Sequence, residues 1–153
     1  LNEWMSSDAG KGLSFGVISF YKAQADLIRK QLRHIADDDK KLRVGTVDSF
    51  QGMEFDVVFL SMVRTMPSRE SIEACKRRVI SKGETWTDTK EAQFCFGHLC
   101  LYNRLNVSMS RQKKLLVVVG DAGALQNQLA EDFVPGLVDF LQLCRREGVV
   151  LPC

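Results

Sequence analysis

The stretch Arg43–Arg64, RVGTVDSFQGMEFDVVFLSMVR, constrains the fold more than any other part of the chain. Val44 to Val47 is a short β-branched run that ends at Asp48-Ser49. Asp56 to Val63 contains VVFLSMV, a continuous apolar run of strand length. Apolar runs of this kind predict strands covered on both faces, as in a parallel α/β sheet. Such sheets bind ligands at the carboxyl ends of their strands. The turn between the runs, Phe50-Gln51-Gly52-Met53-Glu54, holds an amide, a carboxylate and a glycine that lets backbone approach a ligand closely. With the hydroxyls just before it, that is more polar chemistry than a connector needs.

The rest of the chain supports an α/β reading. Phe15 to Phe20 (FGVISF) predicts a buried strand. Tyr21 to Ile35 predicts a helix, with Ala25, Ile28, Leu32 and Ile35 at helical spacing. Asp37-Asp38-Asp39-Lys40-Lys41 reads as a charged, solvated turn. Pro67 to about Ser81 predicts a helix, and Asp88-Thr-Lys-Glu91 has capping-box spacing for another. Asn103 to Lys113 should be helical, and Leu115 to Val119 a buried strand ending at Gly120-Asp121. A short helix at Ala122–Leu129 and an amphipathic one at Leu137–Arg146 complete the pattern. Val149–Leu151 is either a last strand or a boundary. Gly10-Lys11-Gly12 lacks the G-x-x-x-x-G-K-[ST] pattern and no strand precedes it, so it reads as a surface loop. Trp4 reads as a packing residue.

Length suits one domain, residues 1–153, with an insertion at about 66–96. Net charge is +2, so nucleic-acid contact calls for a local groove rather than a basic coat. Between Arg64 and Lys90 seven Lys/Arg face four Asp/Glu, either a basic lip over a nucleic-acid channel or a solvated insertion. Five cysteines without a secreted-domain pattern read as reduced thiols. Cys75, Cys95, His98 and Cys100 match no common zinc spacing and read as packing residues; no metal site is expected. No apolar run approaches about 18 residues, so no membrane span or signal peptide is expected, and the chain is expected in the cytoplasm, or the nucleus of a eukaryote.

Three segments carry a family resemblance. Thr46-Val-Asp-Ser-Phe-Gln-Gly-Met-Glu-Phe-Asp-Val-Val-Phe-Leu60 resembles motif V of superfamily 1 helicases, closest to the Up-frameshift-like subgroup that includes nidoviral helicases. Arg104-Leu-Asn-Val-Ser-Met-Ser-Arg111-Gln-Lys113 resembles motif VI, usually near RLNVALTRAK. Gly16-Val-Ile-Ser-Phe-Tyr-Lys-Ala-Gln24 resembles motif IV, usually near GVITPYxxQ. Three motifs in order make a specific match. Gln112 departs from it, standing where the family has a small residue, and Ser108-Met109-Ser110 replaces Ala-Leu-Thr.

The resemblance implies a RecA-like P-loop NTPase fold, a mainly parallel sheet with helices on both faces. It implies the second, C-terminal motor domain of an ATP-dependent DNA or RNA helicase or translocase. The first motor domain, which would hold the phosphate loop and most of the ATP and Mg2+ contacts, is expected as a partner elsewhere in the same protein. This chain alone is expected to be inactive. Arg104 and Arg111, two helical turns apart, would reach the ATP phosphates on one helix face with Ser108, and Arg111 would be the arginine finger. Gln51, Gly52 and Glu54 would face the nucleotide, Glu54 accepting from a ribose hydroxyl. Ser19, Tyr21, Thr46, Asp48 and Ser49 would line the single strand. The alternative from a different class is a noncatalytic nucleic-acid-binding or protein-interaction module of the same fold. The paired arginines speak against it, since a binder needs no phosphate-facing finger.

Overall fold

The computed structural model describes residues 1–32 and 41–151. The expected end at Ile35 of the helix predicted from Tyr21, and residues 37–40 of the charged turn, lie outside them. The chain divides into two compact units, Leu1–Val63 with Asn103–Gly120, and Arg64–Tyr102 with the chain from Asp121 onward.

The first unit is built on four parallel strands: β1 (Phe15–Ser19), β2 (Leu42–Thr46), β3 (Phe55–Ser61) and β4 (Gln112–Val119), in the order β2-β1-β3-β4. Helices α1 (Asn2–Ser6) and α2 (Lys22–Gln31) flank this sheet, and α5 (Tyr102–Met109) leads into β4. Residues of β1 pair on both sides, Phe15 with Leu42 and with Val57, Val17 with Val44 and with Phe59. Side chains alternate across a strand, so these residues share one face. Trp4, Met5, Ile28 and Leu32 pack against it. Trp4 makes edge contacts with Phe15 and Phe59 at 5.8 and 5.9 Å between centroids, the packing role expected of it. The helix that carries Trp4 was not legible in the sequence.

Residues 47–54 join β2 to β3, strands on opposite sides of β1. Parallel connections usually need a dozen or more residues. This shorter one stays against the sheet because glycines make room. A Cβ on Gly16 would stand 2.9 Å from the Phe50 ring, and one on Gly45 would collide with Ser49 Oγ. Phe50 is fully buried and packs at 5.3 Å on Phe55.

Two expectations change here. The helix predicted over Asn103–Lys113 stops at Met109, and β4 begins at Gln112. Ser108 and Ser110 hydroxyls donate to the carbonyls of Leu105 and Val107, competing with the helical ladder. The Arg111 carbonyl then accepts the Phe55 N–H at 2.9 Å, starting the strand pairing. Arg111 is therefore off the helix that carries Arg104. The strand predicted as buried is an edge strand instead, with Leu115 and Val119 exposed.

The second unit holds α3 (Arg69–Ile80), α4 (Asp88–Phe96), α6 (Gln128–Phe133) and α7 (Pro135–Glu147). The residues read as an insertion supply α3 and α4. Ser68 caps α3, its hydroxyl accepting from Ser71 N–H, and Arg77 and Arg78 suit its last turn. Thr87, not Asp88, caps α4, while Glu91 accepts from the Trp86 indole at 3.0 Å. Pro135 starts α7 as its missing N–H allows. The helix expected at Ala122–Leu129 is a 3-10 turn followed by α6, and Val149–Leu151 form no strand. Among the described residues no helix is long and apolar enough to cross a membrane.

Candidate functional site

Phe50 to Met53 form a type II turn. Gln51 has φ −60° and ψ 127°, Gly52 has φ +77°, and Met53 N–H donates to the Phe50 carbonyl at 3.1 Å. The third position of such a turn needs positive φ, so glycine is there for backbone reasons. The buried Phe50 and Phe55 rings hold the two ends of the turn, and Gln51, Gly52, Met53 and Glu54 project as an exposed crest.

This crest lies at the amino end of β3, beside the amino end of β4. Arg111 is next to it, through the Phe55 N–H bond to its carbonyl. Glu54 faces Lys113 at 3.9 Å. The expectation of a site at the carboxyl strand ends therefore fails for Gln51, Gly52, Glu54 and Arg111. The short connection has already crossed the sheet before the turn begins. Gln51, Gly52, Glu54 and the Arg111 backbone share the amino rim, whereas Arg104 pairs with Asp48, two residues beyond the carboxyl end of β2.

Arg111 donates from Nη2 to Ser110 Oγ at 2.7 Å. Its Nε, and Oε1 of the neighbouring Gln112, are buried without a hydrogen-bond partner among the described residues. A buried guanidinium donor left unpaired is costly, and an anionic oxygen is the partner that suits it. Arg104 is on α5, where its Nη2 donates to Asp48 Oδ2 at 2.9 Å.

Below the crest is a clamp that sequence reasoning missed. Ser14 donates its N–H (2.9 Å) and its hydroxyl (2.8 Å) to Asp56 Oδ2, and the same hydroxyl accepts the Asp56 N–H at 2.9 Å. Lys114 closes on Oδ1 at 3.0 Å. The Ser14 N–H above all, then Lys114 and the Ser14 hydroxyl, hold the Asp56 carboxyl well below the usual carboxylate range. The legible signal was charge order: acids at 48, 54 and 56, bases at 104, 113 and 114.

The expected strand-contacting residues lie toward the carboxyl ends. Ser19 closes β1 and Thr46 closes β2. Ser19 is fully buried and its hydroxyl accepts the Tyr21 N–H at 3.3 Å, which takes it out of reach of a ligand. Tyr21, Thr46 and Ser49 are half-buried and Asp48 is exposed. Ser49 Oγ donates to the Thr46 carbonyl at 2.7 Å, fixing the turn that carries Asp48. Gln24 reaches Ser61 Oγ at 3.5 Å, across the carboxyl ends of β1 and β3.

In the second unit Cys95 is buried and the Cys100 thiol donates to the Ala92 carbonyl at 3.6 Å. Burial pushes both thiols up. These are packing cysteines rather than reactive ones. Among the described residues no group of three or more His, Cys, Asp or Glu could hold a metal ion.

Residues 2–123 match the AAA domain family. The chain is 37% identical over 116 residues to the DNA polymerase alpha-associated DNA helicase A of Saccharomyces cerevisiae, covering 74% of this chain and 13% of that protein. It is 31% identical over 110 residues to the human RNA helicase Mov10l1, covering 72% of this chain and 7% of that protein. It is 28% identical over 145 residues to the helicase required for RNAi-mediated heterochromatin assembly 1 of Schizosaccharomyces pombe, covering 87% of this chain and 12% of that protein. The chain thus spans a small part of the length of the relatives it matches.

Proposed function

The chain belongs to the AAA domain family as a motor domain of the superfamily 1, Up-frameshift-like helicases, and on that premise we propose that it is the second of two motor domains that close on ATP and step along a single strand. The observation that carries this reading is on the amino rim: the exposed Gln51–Glu54 crest leads into Phe55, whose N–H bonds the Arg111 carbonyl, and the Arg111 Nε–H is buried and unpaired among the described residues. ATP supplies the phosphoryl group that is transferred to water. The phosphate loop and the Mg2+ ligands come from the other motor domain, the partner this rim requires.

Each residue then has a task. Arg111 is the finger, stabilising charge on the transferring phosphoryl group. Arginine suits this because it stays charged and presents a planar fork to phosphate oxygens. Arg104 binds phosphate with the N–H groups that Asp48 leaves free. Gly52 brings backbone close to the nucleotide, Gln51 offers its amide, and Glu54 accepts from a ribose hydroxyl. Tyr21, Thr46 and Ser49 follow the single strand toward the carboxyl strand ends. The relatives' names include both DNA and RNA helicases, and the proposal is for a single strand of either kind.

Steady-state ATP turnover by the complete protein tests this. Arg111→Ala should lower it by about 10³-fold or more, the usual worth of such a finger. Arg111→Lys should recover little, because a point charge lacks the fork. Wild-type turnover by Arg111→Ala would overturn the reading.

A further inference from the structure

Among the described residues, three ion pairs join residues close in sequence: Asp26–Arg29, Glu84–Lys90 and Arg146–Glu147. Three others join the segment 48–56 to the segment 104–114: Asp48–Arg104, Glu54–Lys113 and Asp56–Lys114. Asp48–Arg104 differs from its two companions. Neither of its residues belongs to a strand, so it adds nothing to sheet register. Its side chains are 35% exposed at Arg104 and 67% at Asp48, too open for the pair to matter much for stability.

The backbone that carries the carboxylate is nonetheless anchored. Asp48 sits between Val47, 3% exposed, and the fully buried Phe50, on a turn tied by the Ser49 hydroxyl. A long arginine side chain loses much rotamer freedom when it is fixed. An acid carried on an anchored turn at one end of its fork supplies part of that ordering before any ligand arrives. The bond to Asp48 uses one of the five guanidinium N–H groups. An unpaired carboxylate here would repel any phosphate nearby, and the pairing removes that repulsion.

We propose that Asp48 is a positioning residue: its carboxylate orients the Arg104 guanidinium and leaves the remaining N–H donors for a phosphate oxygen. This rests on the nucleotide role proposed for Arg104 and changes the role of Asp48 from strand contact to support of its neighbour. Asp48 touches no reacting atom.

A double-mutant cycle on the complete protein tests it, with KM for ATP and kcat read separately. Arg104→Ala should raise KM about tenfold, as loss of a charge-assisted bond does. Asp48→Ala should raise KM about threefold or more, with kcat changed less, and Asp48→Glu should restore most of the loss. The double variant should match Arg104→Ala alone, a coupling of at least about threefold. Independent, multiplying effects would overturn the proposal, as would an unchanged KM in either single variant. A lowered melting temperature in Asp48→Ala with normal KM would mark a merely structural acid and overturn it too. Arg111→Ala in parallel separates the two failures: normal turnover there sinks the motor reading, whereas an additive cycle beside an inactive Arg111→Ala sinks only the role of Asp48.

Discussion

Gly52 and Val63 occupy the same left-handed backbone region, φ +77° and +63°, with opposite consequences. At Gly52 the residue fits the conformation. A Cβ there would meet nothing within 4 Å, so Gly52→Ala is penalised by the backbone alone. We expect a loss of about 1 kcal/mol and a melting temperature lower by roughly 3 °C. At Val63 a β-branched side chain holds a conformation it disfavours, at a cost of about 1–2 kcal/mol. Val63→Gly should therefore stabilise, by a net of a few tenths to about 1 kcal/mol after the added chain entropy of glycine. Thermal unfolding of the two variants checks both signs, and a fall in each would contradict the account of Val63. The turn holding Gly52 was readable from the sequence, where the glycine is read for close backbone approach rather than for its φ. Val63 was not, since nothing in a valine announces positive φ.

At the scale of elements, the Ser14–Asp56–Lys114 clamp ties the chain entering β1 to the start of β3 and to β4. Its acid titrates lower folded than unfolded. The stabilisation is complete above the ordinary aspartate pKa of about 4 and is lost as pH falls below that toward the depressed folded value. Asp56→Asn should lower the melting temperature at neutral pH and flatten its decline in acid, measured by thermal unfolding between pH 7 and pH 3. An unchanged acid limb would show that the clamp does not contribute. Strands β1 to β3 were legible because their apolar runs are bounded by turn chemistry on both sides. The join of α5 and β4 was not. The run Asn103–Lys113 has helical spacing throughout, and the serine back-bonds and the Arg111–Phe55 bond that end the helix are tertiary facts. The motifs were legible, yet the rim on which Gln51, Gly52 and Glu54 stand was not, because a crossover this short escapes the usual rule for parallel strands. Ser19 matched its motif and is buried all the same.

For the whole molecule, a net charge of +2 leaves recognition to local geometry. The sequence carries Arg111, proposed above as the finger for a phosphoryl group, and has no G-x-x-x-x-G-K-[ST] run to hold the phosphates, and its relatives extend far beyond the matched segment. The central claim is that this chain contributes transition-state charge to an ATP bound chiefly by another domain. Binding and chemistry should then separate. The most direct measurement is single-turnover hydrolysis beside equilibrium binding of a fluorescent ATP analogue, in the complete protein with Arg111→Ala. The account predicts a dissociation constant within about threefold of wild type and hydrolysis slowed by about 10³-fold or more. Hydrolysis at the wild-type rate with ATP bound would contradict it.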